Sequence, residues 1–381
     1  VVPSYNVLLA EPGNVMIVSA GKIPNRIERA GEDFGVIPSL GWENPMDWSG
    51  YLGFNENPYI IDPPEHILFN TNNKLLNNGY PKHFSYDWGD NQRQLRMKDL
   101  FQTRKVHSLN SFQEIQSDIV SSSARTVLPL LAKNLWYSQT LNLKNDLANL
   151  RKRALELRAE WNGEMSVHLS QPLIYNSWAS HFQRMIIQDE LGAQIHWFKS
   201  VKPDFLERVL RNIDGAGIWC DIKQTKRIES CDNIALMSLD NSLVTNSKLL
   251  GPNIVKWRWG DHHKARFMEK VIGRYPVISY LSNIVYEIPG GDNTLSMARS
   301  LRSSSNLHDV RYGSTLRVIF DMSNPDHSFF SMPTGQSGHL FSKHYDDLLS
   351  LWETNDYLQI YLDDSPIKAA SSSVMNFKRI N

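Results

Sequence analysis

Ser331-Met-Pro-Thr-Gly-Gln-Ser-Gly-His-Leu-Phe-Ser-Lys-His-Tyr-Asp-Asp347 is the stretch that does most to decide the fold, and Leu348-Leu-Ser-Leu-Trp352 follows it directly. It joins a turn of small residues around Gly335 to a polar segment that opens an apolar helix. A tight turn with so many hydrogen-bonding side chains usually positions another part of a protein. We therefore expect it to pack the C-terminal segment onto a sheet, with His344 and Asp346 in a hydrogen-bond network.

The same turn contains Gly335-Gln-Ser-Gly338, which superficially looks like the Gly-x-Ser-x-Gly nucleophile elbow of serine hydrolases. The elbow needs its second glycine two residues beyond the serine. Here Gly338 directly follows Ser337, and residue 339 is a histidine. A conventional Ser-His-Asp hydrolase that uses Ser337 is therefore a minor alternative.

Length and composition predict a large folded chain without a charge bias. The 381 residues allow about two or three average domains, or one large layered domain. A hydrophobic content of 41% is ample for a buried core. Forty basic residues balance forty acidic ones, and no apolar run approaches the roughly 18 residues of a membrane span. We therefore expect neither nucleic acid as a partner nor a membrane span.

The order of the sequence patterns divides the chain into three parts. Residues 1–105 show β-prone runs and loops rich in Gly and Pro, with Glu11-Pro-Gly-Asn14 as a turn between two strands. Residues 106–274 show amphipathic helical spacing, and residues 275–381 return to strands before a late helix. The sequence thus predicts an α+β protein with a helical region between two strand-forming parts.

Three local patterns give more specific expectations. Ser111-Phe-Gln-Glu114 has the form of a capping box, which makes Ser111 the predicted N-cap of a helix. The run from Val277 to Tyr286 is apolar and β-branched, and it predicts a strand. Asp261-His262-His263 offers metal-ligand side chains, but adjacent histidines do not converge on one ion as an i,i+4 pair does. We therefore expect no metal there.

Cys220 and Cys231 are the two cysteines of the chain, which excludes a Cys-rich metal site. In an exported protein they could form one disulfide that closes a short loop. In the cytosol they would be two free thiols. The sequence alone leaves both alternatives open.

Short motifs occur in a fixed order along nearly the whole chain. They are Asn6…Ala10-Glu-Pro-Gly-Asn14, Gly21-Lys-Ile-Pro-Asn-Arg26, Gly41-Trp42, Trp48-Ser-Gly50, Pro63-Pro64, Asn70-Thr-Asn-Asn73, Tyr86-Asp-Trp88, Trp161-Asn-Gly163, Trp257-Arg-Trp-Gly260 with His263, Gly290-Gly-Asp292, Gly313-Ser-Thr-Leu-Arg317 with Asp321, and Gly335-Gln-Ser-Gly338 with His344-Tyr-Asp-Asp347. Each motif is weak alone. Together they make the chain resemble the C-terminal part of the large subunit in the penicillin acylase family of N-terminal-nucleophile hydrolases, with Asn70 and Asn72 as departures.

The resemblance implies part of a four-layer αββα N-terminal-nucleophile hydrolase fold with an inserted helical subdomain. It implies cleavage of an acyl-amine amide bond, as in penicillin, cephalosporin or acyl-homoserine-lactone acylases, in the periplasm or outside the cell. In the family a Ser at the start of the large subunit forms an acyl-enzyme, and its own amine serves as the base. The family's calcium site uses residues mostly outside this chain, so no cofactor or metal ligand is assigned.

The resemblance also implies catalytic roles for Asn6 and Arg26. Asn6 lies where the family has its oxyanion-hole Asn, although its spacing to Asn14 is one residue shorter. A side-chain NH2 there stabilises the tetrahedral oxyanion. Arg26 matches an Arg near the nucleophile, where a fixed positive charge favours the free amine. The alternatives are a turn-capping Asn and a surface Arg.

The nucleophile itself is not found in this sequence. Residue 1 is Val, and no Ser-Asn-x-Trp start of the family's large subunit occurs. We therefore expect a chain that is catalytically incomplete alone, with the nucleophile supplied by the remaining N-terminal portion of the same precursor, and a small-molecule amide as substrate. The alternative from another class is a catalytically inactive homologue that acts as a binding or structural module.

Overall fold

The computed structural model describes residues 5–26, 42, 48–75, 80–82, 84–85, 88–136, 145–300 and 308–379. Gly41, Tyr86 and Asp87 of the motif comparison lie outside the described residues, as does Val1.

Strands lie toward both ends of the described chain and pair antiparallel in small sheets. Their bounds are β1 (Tyr5–Glu11), β2 (Asn14–Ala20), β3 (Tyr59–Ile61), β4 (Lys264–Phe267), β5 (Ile284–Glu287), β6 (Ala298–Ser300), β7 (Val310–Gly313), β8 (Arg317–Ile319), β9 (Ser328–Ser331) and β10 (Leu358–Ile360). Within the described residues the sheets have the orders β1-β2-β3, β10-β9-β8, β4-β5 and β6-β7.

Helices fill the middle of the chain, as the periodicity predicts, and a few lie elsewhere. Their bounds are α1 (Gln92–Gln102), α2 (Leu109–Gln116), α3 (Ser122–Trp136), α4 (Asn145–Ala159), α5 (Gln171–Leu191), α6 (Pro203–Leu210), α7 (Cys231–Leu250), α8 (Trp259–His262), α9 (Pro276–Ser282), α10 (Leu349–Thr354) and α11 (Asp364–Ala370). The region from α3 to α7 is called the helical region below, and the sheet β1-β2-β3 is called the N-terminal sheet.

The main hydrophobic core lies within the helical region, where α5 packs against α7. Trp178 and Phe182 of α5 are fully buried and stack with ring centroids 5.6 Å apart. The Trp178 indole donates a hydrogen bond of 3.0 Å to the carbonyl of Ala235 in α7, so its polar atom is satisfied inside the core. Each such buried side chain contributes about 1.5–3 kcal/mol.

Two cross-links fasten α7 to the rest of the helical region. Arg151 of α4 is buried and forms a two-pronged ion pair with Asp240 of α7. Cys220 and Cys231 form a disulfide that joins the segment before α7 to the first residue of that helix. The disulfide alternative left open by the sequence is therefore the one that the structure contains.

Two local predictions were wrong. Ser108, and not Ser111, is the N-cap of α2, because the Ser108 hydroxyl accepts from the Ser111 amide at 3.3 Å and the Ser111 hydroxyl accepts from the Ser108 amide at 2.9 Å. The run from Val277 begins as helix α9, since Pro276 suits the first turn, where its missing N–H has no partner to lose. The strand starts only at Ile284.

Candidate active site

The predicted N-terminal hairpin is confirmed, and it positions Asn6. The turn between Glu11 and Asn14 joins β1 to β2, with Gly13 at φ +92°, a backbone conformation that glycine adopts without strain. The register places Asn6 directly opposite Ser19.

The Asn6 side chain is exposed and held through its oxygen. The Ser19 hydroxyl donates a hydrogen bond of 2.7 Å to Asn6 Oδ1. This bond leaves the Asn6 Nδ2 group to donate elsewhere, and none of the described residues accepts from it. An oxyanion donor needs this arrangement, with the amide oriented in advance and its N–H free.

Ser19 is itself fixed by a buried asparagine that the sequence analysis missed. Asn57 is only 2% exposed, and its Nδ2 donates to the carbonyls of Ser19 at 3.0 Å and Gly21 at 3.1 Å. The Ser19 amide donates to the carbonyl of Pro58 at 2.9 Å. Asn57 thus supports Asn6 indirectly. The sequence offered one weak signal, the Asn-Pro pair just before β3.

Arg26 lies on a short antiparallel clip that follows β2. Backbone hydrogen bonds of 2.9–3.0 Å join residues 23–25 to residues 49–52. The clip brings Trp48 under the Arg26 side chain, with the guanidinium carbon 5.7 Å from the indole centroid. A cation over an aromatic face keeps its charge while its position is restricted. Arg26 is half-buried, so it is not a fully solvated surface arginine.

No hydrogen bond joins Asn6 and Arg26 in the described residues. Asn6 is opposite the penultimate residue of β2, and Arg26 follows six residues after the end of that strand at Ala20. Their joint catalytic role therefore stays a prediction.

The Asn70–Asn73 motif forms a buried support beside α1. Arg93 of α1 donates to the Thr71 carbonyl at 2.6 Å and to Asn72 Oδ1 at 2.8 Å. The Thr71 hydroxyl donates to Asn73 Oδ1 at 2.8 Å, and both of these residues are buried. Burial lowers the pKa of Arg93. The motif is thus explained by packing of this loop.

The C-terminal stretch forms the predicted turn, with one different partner. A Cβ on Gly335 would lie 2.1 Å from the His344 carbonyl oxygen, so this position requires glycine. His344 Nδ1 pairs with Asp347 Oδ2 at 2.7 Å, so the predicted hydrogen-bonding of His344 involves Asp347. Ser337 Oγ accepts from the His339 amide at 3.1 Å.

The serine-hydrolase alternative finds no support in that turn. Among the described residues, no imidazole hydrogen-bonds the Ser337 hydroxyl, as a general base would.

His263 is a structural residue. Its Nδ1 faces the Ile288 carbonyl at 2.7 Å, and its Nε2 faces the Ala298 carbonyl at 2.9 Å. Burial lowers the pKa of His263 to about 4, against the opposing effect of these carbonyls. Neither ring nitrogen is available to a metal. Within the part of the chain that the structure describes, no cluster of three or more His, Cys, Asp or Glu residues could hold an ion.

Comparison with known proteins decides the family. The sequence model of the family described as penicillin amidase matches residues 1–369. The chain belongs to the penicillin amidase family. It is 26% identical over 376 residues to the acyl-homoserine lactone acylase QuiP of Pseudomonas syringae pv. tomato, a match covering 94% of this chain and 44% of that protein.

Other members of the penicillin amidase family show the same partial coverage. The penicillin acylase 2 proenzyme of a Pseudomonas species is 24% identical over 345 residues, covering 89% of this chain and 42% of the relative. The chain therefore spans less than half the length of these two relatives.

A solved structure shows the fold. The thermostable penicillin G acylase from Alcaligenes faecalis superposes with a TM-score of 0.65 at 20% identity, over 99% of this chain and 68% of that one. This similarity confirms the predicted α+β N-terminal-nucleophile hydrolase fold. The described helices include none that is long and apolar enough to cross a membrane.

Proposed function

We propose that this chain is the C-terminal part of the large subunit of an acylase that hydrolyses the amide between an acyl group and an amine. The observation that carries the proposal is the Asn6 side chain, whose oxygen accepts from Ser19 while none of the described residues accepts from its NH2. The names of the relatives suggest penicillins and acyl-homoserine lactones as the substrate classes to test first.

The mechanism divides the work between this chain and a segment outside it. The hydroxyl of an N-terminal Ser on that segment attacks the amide carbonyl, and its own amine takes the proton. Asn6 Nδ2 donates to the oxyanion that forms, and the fixed charge of Arg26 favours the unprotonated amine. The amine then returns the proton to the leaving group, and water hydrolyses the acyl-enzyme.

The N-terminal sheet offers a place for that segment to dock. Leu8 is 50% exposed and Leu9 is 54% exposed, so β1 presents apolar side chains on both faces. Among the described strands β1 pairs only with β2, which leaves the outer backbone edge of β1 open. We propose that a strand of the precursor's N-terminal portion adds to this edge. Because Asn6 lies on β1, this docking would bring the nucleophile toward it.

The direct test is reconstitution. The chain is co-expressed with the upstream portion of its precursor, and hydrolysis of benzylpenicillin and of an acyl-homoserine lactone is followed by release of the free amine. We expect Asn6→Ala to lower kcat by about 100- to 1,000-fold, the usual effect of removing an oxyanion donor. Asn149→Ala, at an exposed position on α4, is the matched control and should leave kcat unchanged.

Two results would reject the acylase proposal. One is full activity in the Asn6→Ala variant. The other is the absence of hydrolysis together with no co-purifying polypeptide that begins with Ser, which would leave the chain as a binding or structural module.

We infer that the chain works in an oxidising compartment such as the periplasm or the extracellular space. The support is the Cys220–Cys231 disulfide, because such bonds persist mainly in exported proteins. Alkylation of the native protein with iodoacetamide before reduction should leave both cysteines unmodified. Alkylation of both would place the chain in a reducing compartment.

A further inference from the structure

A cavity in the helical region lies between α3 and α4 and shares no residue with the Asn6–Arg26 hairpin. Its volume is about 430 Å³, which is in the size range of small-molecule sites. Apolar side chains from both helices line it, among them Leu128 and Leu155, together with Trp161. Among the described residues that line the cavity, Arg125 and Arg158 are charged and none is acidic.

Arg158 is unusual because its guanidinium is buried without a counter-charge. Its Nε and Nη1 atoms have no hydrogen-bond partner, and no ion pair of Arg158 occurs among the described residues. The guanidinium carbon lies 5.6 Å from the Trp178 ring centroid, a contact that supports the cation but does not neutralise it. Isolated buried charges are costly and are normally paired.

Arg151 on the same helix is a buried arginine that has a counter-charge, although its Nη1 atom has no hydrogen-bond partner among the described residues. It lies two turns before Arg158, and its Nε and Nη2 both bond Asp240 of α7. Burial lowers the pKa of Arg158 to about 10, so its side chain is still charged at neutral pH. No anionic side chain among the described residues thus neutralises the charge of Arg158.

The cavity has a second cation nearer the solvent. Arg125 is exposed and its Nε donates to the Asn162 carbonyl at 2.7 Å, which fixes the stem of this side chain against the cavity wall. The cavity therefore combines an apolar lining with positive charge at its inner and outer sides. A strongly hydrated inorganic anion would leave the apolar lining uncovered, whereas an amphiphilic anion would cover it.

We propose that this cavity binds a small organic monocarboxylate with an apolar body, and that the carboxylate pairs with Arg158. The guanidinium fork matches the two oxygens of a carboxylate, and the lining from α3 and α4 accepts a hydrocarbon chain or ring. The inference does not depend on the proposed acylase function, since neither Asn6 nor Arg26 takes part.

The test is isothermal titration calorimetry of the 381-residue chain with octanoate and with octanamide, its neutral counterpart. We expect octanoate to bind roughly tenfold or more tightly than octanamide, because a hydrogen bond to a charged group exceeds one to a neutral group. Arg158→Met should remove this preference. Arg153→Met, at an exposed arginine of the same helix paired with Glu156, should preserve it.

A second variant separates charge from space. Leu155→Trp fills the cavity and keeps Arg158, so it should weaken octanoate and octanamide alike, with folding checked by circular dichroism. The proposal is overturned if octanoate binds Arg158→Met as well as wild type, or if wild type does not prefer octanoate to octanamide. Failure of wild type to bind octanoate would also reject the proposal. The counter-charge of Arg158 would then come from another polypeptide segment.

Discussion

The helical region and the N-terminal sheet differ in how far their apolar side chains are buried. In the helical region, α5 and α7 bury theirs against each other, and Phe182 and Leu239 are completely buried. In the N-terminal sheet, Ile17 and Val18 of β2 are buried, but most apolar side chains of β1 and β3 are not, and Tyr59 is 57% exposed. The same chain therefore contains one completed core and one sheet that is only partly covered.

The helical region buries its apolar side chains without a partner, whereas the N-terminal sheet does not. The helical region buries its apolar side chains internally, and Arg158 is a buried cation there that has no counter-charge among the described residues. The N-terminal sheet carries the candidate catalytic residue Asn6 on β1, where Asn6 and the residues after it are exposed. Contiguous exposed apolar surface commonly marks an interaction site. The candidate site thus lies in the N-terminal sheet, the region whose exposed apolar surface indicates a binding partner.

The largest expected effect tests the completed core. Trp178→Ala would remove the indole, its stacking on Phe182 and its hydrogen bond to the Ala235 carbonyl. We expect the free energy of unfolding to fall by about 3–5 kcal/mol. Leu9→Ala, in the N-terminal sheet, should change it by less than about 0.5 kcal/mol, because Leu9 is half exposed. Urea unfolding of the isolated chain measures both, and equal losses would contradict the comparison.

The second prediction concerns docking on β1. Leu9→Asp places a charge on the exposed apolar strand and should weaken binding of the upstream precursor portion by roughly tenfold or more. Surface plasmon resonance between the two polypeptides measures this change. Leu249→Asp, at an exposed leucine of α7 in the helical region, is the control and should bind as wild type does. Equal effects of the two variants would remove β1 as the docking edge.

The third prediction concerns pH and Asp292, whose motif lies against α5 at the border of the helical region. Burial raises the pKa of Asp292 to about 6, although the Ser300 amide and hydroxyl oppose this change. The folded state therefore holds its proton more tightly than the unfolded state, in which the pKa is about 3.9. Stability from this group is present below about pH 4 and is lost as the pH rises through about 6.

Asp292→Asn removes that titration. We expect the wild-type free energy of unfolding to fall by on the order of 1–3 kcal/mol relative to this variant between pH 4 and pH 7. Urea unfolding at several pH values measures the difference. A wild-type stability that instead rises relative to the variant over this range would show that the folded state favours the carboxylate.

Sequence reasoning recovered what local chemistry decides. The hairpin around Gly13 follows from a turn signal a few residues long. The prediction of the α2 N-cap was wrong because Ser108 and Ser111 are both suitable cap residues three positions apart. Tertiary context selects between them. The strand predicted from Val277 was wrong at its start because Pro276 begins helix α9, although the residues that follow are apolar and β-branched.

The parts that could not be predicted depend on contacts between distant residues. Asn57 reaches Ser19 across 38 positions, and the Asn-Pro pair before β3 does not by itself mark Asn57 as support for Asn6. Arg158 looks in the sequence like an ordinary solvated charge on an amphipathic helix. Its burial against Trp178 appears only when α4 packs on α5. Asn6 and Arg26 were found through family resemblance, because their spacing alone carries no distinctive signal.

The smallest expected effect concerns Ser19, a buried residue whose hydroxyl donates to the Asn6 amide oxygen. Ser19→Ala would free that amide to rotate, so the Nδ2 group would be aligned for only part of the time. We expect kcat of the reconstituted enzyme to fall about five- to tenfold, the value of one hydrogen bond, with KM nearly unchanged. Ser19→Thr keeps the hydroxyl and should recover most of the loss. If Ser19→Ala changes KM and stability but leaves kcat intact, Ser19 only packs the sheet and does not orient Asn6.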